Sequence, residues 1–235
     1  MLRKSPATDE NTEGIDTEDA IEIARGDRIP REFGFCRAGH AHASDLSEPE
    51  FAAASTDGSQ VTAEGEKRPL TAGEIEMCQT IFKDSIDYSL VYVHKGEYFP
   101  FGLQDDDTAV TPNGEIYFNP KHFYEDFSCA VGSVQVWFVH EMVHVWQYQM
   151  RYAVKWHGMQ RWNLDYNYTL DPSKRLGSYN MEAQGNIVAD YFALTILNSP
   201  AFMRETQHAL DVALFETVLS DFRSNPRNEV NLPGG

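Results

Sequence analysis

Residues 138–150 read FVHEMVHVWQYQM and hold two histidines four positions apart, His140 and His144, with Glu141 after the first. No glycine or proline interrupts the apolar residues around them, and Ser133 is a suitable N-cap, so the pattern predicts a helix over 134–154. At about 3.6 residues per turn, both imidazoles lie on one face of that helix. Two neutral imidazole nitrogens at this spacing can bind one tetrahedral zinc ion.

Glu141 is adjacent to the first histidine and is therefore directed beside the metal and not onto it. There its carboxylate can take a proton from a metal-activated water, which is the role of a general base. Burying a glutamate and two histidines among Val, Trp, Phe and Met is costly unless a metal or an ionic partner compensates their charge. The HExxH pattern therefore predicts a hydrolytic zinc site.

A third metal ligand must follow the motif. The metzincin extension is excluded, because Gln147 and Met150 occupy its glycine and last histidine positions. His157 lies near the end of the predicted helix, from where it reaches back only awkwardly, and Asp165 lacks the glycines and threonine of the aspartate-ligand motif. Glu182 begins a second helical stretch, which could pack antiparallel across the first and bring its carboxylate to the metal. Glu182 is therefore preferred over the other two.

Residues around Glu182 could complete the site. Asn186 and Asp190 follow it by four and eight positions on the same side of the second helix, so either could accept the free N–H of a ligand histidine. An oxyanion formed during hydrolysis also needs an electrophile. The sequence does not choose among four candidates that lie between the two helices: Tyr166, Tyr168, Tyr179 and His157.

Composition divides the chain near residue 68. Residues 1–68 contain three of the 29 aromatic residues (4 Trp, 11 Tyr and 14 Phe). Such a segment buries too little apolar surface to offset its chain entropy, so it is predicted to be an acidic, largely disordered tail. The catalytic domain is expected over 69–225, followed by a flexible segment over 226–235.

The charge and the hydropathy exclude several functions. The net charge of −17 repels phosphate backbones, which argues against a nucleic-acid partner. No stretch approaches the about 20 apolar residues that span a bilayer. The first residues lack the apolar core of a secretory signal, so the chain is expected in the cytoplasm of the producing cell, or exported by an injection machine that needs no signal. Three widely spaced cysteines suggest neither a disulfide framework nor a thiolate zinc site.

Other local patterns predict the remaining elements. Thr71 and Glu74 resemble a capping box at the start of a helix. Alternating residues after position 89 and a Pro-Asn-Gly turn predict a small sheet over 89–118, and residues 207–222 predict a C-terminal helix. The expected fold class is therefore α+β, with a small mixed sheet over two active-site helices.

Four segments carry a resemblance to known proteins: LTAGEIEMCQTIF, TPNGEIYFNP, FVHEMVHVWQYQ and YNMEAQGNIVADYF. They resemble zincin metallopeptidases of the gluzincin kind and, more narrowly, the Vgr-related metallopeptidases associated with bacterial type VI secretion. The resemblance implies a zincin-like fold, His140, His144 and Glu182 as zinc ligands, and Glu141 as general base. It also implies that an extended substrate lies along the GEIYF strand. Met181 separates Asn180 from Glu182, so the adjacent Asn-Glu pair of the thermolysin type is absent.

The expected function is zinc-dependent hydrolysis of peptide bonds by a secretion-associated effector, with a protein or peptide substrate and a secretion-apparatus or immunity protein as partner. Two alternatives stay open: a hydrolase of cell-wall peptide crosslinks, and a non-catalytic, zinc-stabilised binding or adaptor module. The acidic surface disfavours an anionic cell-wall substrate. Three protein ligands disfavour a structural site, which is normally closed by four.

Overall fold

The structure is a computed structural model that describes residues 61–98, 108–152 and 166–234. These residues form an α+β fold, which confirms the predicted fold class. The strands are β1 (Lys67–Pro69), β2 (Tyr92–Lys95) and β3 (Ile116–Phe118), and the α-helices are α1 (Ala72–Phe82), α2 (Gly132–Gln149), α3 (Met181–Thr195), α4 (Val212–Val218) and α5 (Ser220–Ser224). Within these residues, no helix has the length and apolar character needed to cross a bilayer.

The three strands form one mixed sheet in the order β1-β2-β3, with β1 antiparallel and β3 parallel to β2. The side chains of Val93, Ile116 and Phe118 are fully buried on one face, as the alternation of apolar residues requires. On the other face the rings of His94 and Tyr117 stack at 3.9 Å between centroids. The sheet thus covers the helices with one face only.

The outer edge of β3, where the resemblance implies an extended substrate, is already paired at its centre. Val110 folds back across the turn at Gly114, whose φ of +81° favours glycine. The Tyr117 N–H donates to the Val110 carbonyl at 3.0 Å, and the Val110 N–H donates to the Tyr117 carbonyl at 3.2 Å. Both backbone groups of Tyr117 are therefore already paired on the edge where a substrate strand would add.

The central helix differs from its prediction at both ends. It begins at Gly132, so Ser133 lies inside the first turn, and the N-cap is Val131, which has no side-chain oxygen to cap the helix. It ends at Gln149, and Arg151 takes a positive φ of 67° that is incompatible with helix. The predicted range of 134–154 is therefore shifted towards the N-terminus by the tertiary fold.

Helix α2 packs antiparallel to α3 through the most extensive contact in the described fold. Trp146 of α2 and Phe192 of α3 are fully buried. Phe222 of α5 contacts the Trp146 ring edge to face, with 5.1 Å between centroids. This apolar packing fixes the two helices that carry the predicted metal ligands.

The C-terminal region differs from its prediction in two ways: the predicted helix is interrupted, and the predicted tail packs against the domain. The expected helix over 207–222 is a 3-10 turn at Thr206–His208 followed by α4 and α5, which meet at Leu219. Residues 226–234 pack against the helices, in contrast with the expected flexible tail. The Trp146 indole donates to the Pro226 carbonyl at 3.0 Å, and Asn231 is 1% exposed.

The two described cysteines differ in state. Cys78 is a buried free thiol in α1, and burial raises its pKa. Cys129 is disulfide-bonded, which corrects the expectation of unpaired thiols. The spacing of the cysteines along the sequence gives no signal for this pairing.

An ion pair joins β1 to α1 and shows that the folded domain begins before residue 69. The predicted capping box is confirmed, because Thr71 and Glu74 exchange hydrogen bonds at 2.9 and 3.1 Å. The Arg68 guanidinium donates to both oxygens of the fully buried Glu74, at 2.7 and 2.9 Å, and the Phe127 N–H donates to one of them at 2.8 Å. Arg68, placed in the tail by composition, thus neutralises a buried carboxylate.

We expect Arg68→Met to lower the free energy of unfolding by about 3 kcal/mol or more, because Glu74 would remain buried without its counter-ion. The neighbouring variant Lys67→Met is the control, since its bond to Glu115 is solvent-exposed and should contribute little. Urea unfolding followed by circular dichroism measures both. Equal effects of the two variants would contradict a stabilising role for the Arg68–Glu74 pair.

Candidate metal centre

The crossing of α2 and α3 brings the predicted ligands together. His140 and His144 lie one turn apart on α2, and Glu182 lies in the first turn of α3, where the Asn180 side chain caps the helix. The Glu182 Oε2 atom is 3.3 Å from His140 Nε2 and 3.2 Å from His144 Nε2. These three ligand atoms lie within 4.8 Å of one another and could hold a metal ion.

The distances from Glu182 to the two histidines suit a tetrahedral ion. Bonds of about 2.0–2.1 Å at tetrahedral angles separate neighbouring ligand atoms by about 3.3–3.4 Å. The distances from Glu182 to the two histidines agree with that separation to within about 0.2 Å. The three side chains are also at most 13% exposed, so an ion would be held mainly by protein atoms.

The electrostatics of the cluster favour a positive charge at the same point. Burial by itself lowers the pKa of His144, but the charges of Glu182 and Glu141 and the hydrogen bond with Glu182 raise the pKa of His144 to about 9. Burial raises the pKa of Glu182, but His144 and His140 outweigh it and hold the pKa well below its usual range. Either a proton or a metal cation would satisfy this pocket.

Glu141 is buried beside the ligand cluster and is not part of it. It is 4% exposed, and its Oε2 accepts a hydrogen bond of 2.7 Å from the Thr111 hydroxyl. Thr111 is itself 5% exposed and lies 30 residues upstream, before the turn at Gly114. No sequence pattern predicts this contact, because only the tertiary fold places that loop against α2.

Gly185 allows the close approach of α3 to the first ligand. A Cβ at this position would lie 2.6 Å from His140 Cε1 and 2.7 Å from its Nδ1, closer than side-chain carbons come to other atoms. A glycine inside a helix costs about 1 kcal/mol relative to alanine, so its presence indicates a packing reason. A glycine inside the predicted second helix is therefore a signal of close packing in the sequence, but the sequence does not show that the His140 ring is what packs there.

The hydrogen bond to a ligand histidine comes from a different residue than predicted. Gln147 Oε1 lies 2.9 Å from His144 Nδ1. Among the described residues, neither Asn186 nor Asp190 contacts a ligand histidine through a hydrogen bond, because tertiary contacts draw both side chains elsewhere. The Asn186 amide donates to the Tyr166 carbonyl at 2.6 Å, and Asp190 accepts from the Tyr168 hydroxyl at 2.6 Å.

Two of the candidate electrophiles are engaged away from the metal ligands. The Tyr168 hydroxyl is bonded to Asp190, whose oxygens also accept the backbone N–H groups of residues 204 and 205. The Tyr179 hydroxyl donates to the Thr169 carbonyl and accepts the N–H of residue 171. Both tyrosines thus hold loops in place.

His157 and Asp165 lie outside the described residues.

No family model matches the chain. An alignment over 132 residues, which covers 53% of the chain, shows 40% identity to the type VI secretion system spike protein VgrG2b of Pseudomonas aeruginosa. The chain is a homologue of part of VgrG2b. It spans 13% of that protein's length. A solved structure described as the effector domain of Pseudomonas aeruginosa VgrG2b is 31% identical, with 69% of this chain and 84% of that chain covered and a TM-score of 0.49. The predicted Vgr relationship is confirmed, and the metallopeptidase class stays a prediction.

We expect Gly185→Ala to weaken divalent metal binding by about 10- to 100-fold, because the added methyl group would displace the His140 ring. Isothermal titration with Zn²⁺ measures the affinity. Gly96→Ala is the matched control, since its Cβ would make only ordinary contacts at 3.6 Å or more. An unchanged affinity in a folded Gly185→Ala variant would show that the His140 position does not depend on this contact.

Proposed function

We propose that the chain is a zinc-dependent metallopeptidase of the gluzincin kind, with a zincin-like domain, that acts as an effector of a type VI secretion system. The observation that carries the proposal is the convergence of His140, His144 and Glu182 on one point, with Glu141 buried beside them and held by a separate contact. The similarity to VgrG2b supports the secretion-associated part.

The number of ligands favours catalysis over a structural site. Among the described residues, the group that could hold a metal has three members. A catalytic zinc site has three protein ligands and an open position, whereas a structural site is closed by four. The adaptor alternative would require a further ligand, and it would leave Glu141 without a role.

Glu141 would act as general base and then as general acid. When bound, zinc would supply Lewis acidity that polarises the scissile carbonyl and lowers the pKa of the attacking water. The Thr111 hydroxyl donates to Oε2 of Glu141, whose carboxylate would take the proton of the water. The same carboxyl would pass this proton to the leaving amine. Thr111 would thus hold the carboxylate in one orientation throughout the reaction.

Tyr166 is our choice for the electrophile that stabilises the oxyanion. Asn186, one turn along α3 from Glu182, donates to the Tyr166 carbonyl at 2.6 Å and so ties this residue to the helix that carries the third ligand. The Arg204 guanidinium lies over the Tyr166 ring, 5.8 Å from its centroid, and holds the ring from a second side. The hydroxyls of Tyr168 and Tyr179 instead form hydrogen bonds that hold loops in place.

The biological setting follows from the proposed role. An effector of this kind would leave the producing cell through the secretion apparatus and would need a binding partner there. A protein that neutralises the enzyme in the producing cell is a further expected partner. The acidic chain, with a net charge of −17, favours neutral or basic peptides over an anionic cell wall as substrate.

We expect Glu141→Gln to retain zinc and to lose peptidase activity by about 100-fold or more, because the amide cannot accept the proton of the water. Glu182→Gln is the companion variant and should lose both zinc and activity. Hydrolysis of a denatured protein mixture and of purified cell wall, together with zinc analysis, measures these effects. Activity that persists in zinc-loaded Glu141→Gln would refute the mechanism.

We expect Tyr166→Phe to lower kcat by about 10²–10³-fold, as for other oxyanion donors. Tyr168→Phe is the control with the same chemical change. Because its hydroxyl is bonded to buried Asp190, that variant should lose stability and keep kcat in the folded fraction. Thermal unfolding and steady-state kinetics separate the two. The reverse pattern would assign the oxyanion role to Tyr168.

A further inference from the structure

Two buried glutamines connect the metal cluster to the backbone at Asn231, near the C-terminal end of the described residues. Gln147 of α2 and Gln184 of α3 are both 0% exposed. Gln147 Oε1 lies 2.9 Å from His144 Nδ1, and Gln147 Nε2 donates to Gln184 Oε1 at 2.9 Å. A buried amide is retained only where its hydrogen bonds are satisfied, so this chain of contacts requires an explanation.

The orientation of Gln184 is fixed by groups that can only accept. Its Nε2 lies near three backbone carbonyls, those of Leu176 at 2.9 Å, Asn231 at 3.0 Å and Tyr179 at 3.3 Å. Turning the amide over would place its oxygen against these carbonyl oxygens, without a hydrogen between them. Gln184 must therefore present Oε1 towards Gln147.

The same reasoning fixes Gln147 and then His144. Gln147 Nε2 faces two acceptors, Gln184 Oε1 and the Met181 carbonyl at 3.3 Å, so its own oxygen must face the imidazole. An amide oxygen accepts only, and therefore Nδ1 of His144 carries a hydrogen and donates it. The neutral ring then has its lone pair on Nε2, the nitrogen that faces Glu182 and the metal position.

One of the fixing carbonyls belongs to the segment 226–234, which we call the C-terminal strap. The strap is held against the turn at Gly177, where the Gly234 N–H donates to the Gly177 carbonyl at 2.9 Å. A Cβ at Gly177 would lie 2.1 Å from the Val230 carbonyl oxygen. Only glycine lets the strap approach closely enough for the Asn231 carbonyl to reach Gln184.

We propose that Gln147 and Gln184 are positioning residues that set the His144 tautomer for metal binding and couple metal affinity to the docking of the C-terminal strap. This inference rests on the metal site of the proposed function and not on peptidase activity. Because coupling is reciprocal, a metal ion should stabilise the docked strap by the same factor by which the docked strap raises metal affinity.

The first test is Gln147→Leu in the full chain. We expect Zn²⁺ affinity, measured by competition with a chelator, to fall by about 10- to 100-fold, and the absorption spectrum of bound Co²⁺ to change with the ligand geometry. The matched control is Gln135→Leu, a buried glutamine of the same helix that bonds only to loop carbonyls. Equal Zn²⁺ affinities of the two folded variants would overturn the positioning role.

The second test acts at a distance and covers the case in which Gln147→Leu does not fold. Gly177→Ala should displace the strap and lower Zn²⁺ affinity by about fivefold or more, whereas Gly96→Ala should not. In the unmodified chain, Zn²⁺ should slow hydrogen exchange at the Asn231 and Leu232 amides, and Gly177→Ala should remove this protection. Exchange that is insensitive to Zn²⁺ would overturn the coupling.

These outcomes are distinct from those that test the peptidase. A chain that binds Zn²⁺ with the expected dependence on Gln147 and Gly177 but hydrolyses no peptide would retain the inference and refute the proposed enzyme. A chain whose Glu141→Gln variant is inactive, but whose metal affinity ignores Gln147 and Gly177, would retain the enzyme and overturn the inference.

Discussion

The meeting of two imidazole nitrogens and one carboxylate oxygen in a buried pocket is the constraint on which the rest of the structure depends. A carboxylate oxygen that lies 3.2–3.3 Å from two imidazole nitrogens needs a proton or a metal cation between them. The apolar packing of α2 on α3 supplies the favourable energy that holds the arrangement together, with Trp146 and Phe192 fully buried. The packed helix pair therefore holds a buried cluster that requires a positive charge.

Two groups of buried polar residues in the described domain have different contacts. Thr111, Gln147 and Gln184 contact Glu141 or His144, directly or through one another, and fix how those side chains point. Asp190 and Glu74 instead organise backbone: each accepts hydrogen bonds from distant N–H groups and from a second side chain.

The sequence predicted the parts of the site that depend on local spacing. His140, His144 and Glu141 follow from helical periodicity, and Glu182 followed from the expectation that a second helix packs across the first. The roles of Gln147, Gly185 and Thr111 depend on which elements meet, and one sequence carries no information on that. The spacing of Asn186 and Asp190 suits acceptors for the N–H of a ligand histidine, but both side chains form hydrogen bonds with other residues in the fold. Composition likewise assigned Arg68 to the disordered tail, because a strand of three residues is too short to change the local composition detectably.

The contact between Gly185 and the His140 ring has a consequence for the energetics of metal uptake. The ring fills the space that a side chain would occupy on α3, so the two helices cannot slide past each other without a clash. The conformational entropy of the ligands is thus lost when the chain folds and not when an ion arrives. Small zinc-dependent modules behave in the opposite way, since they order only around their metal. Here the close approach of α3 to His140 and the buried glutamines beside His144 already place the ligand side chains.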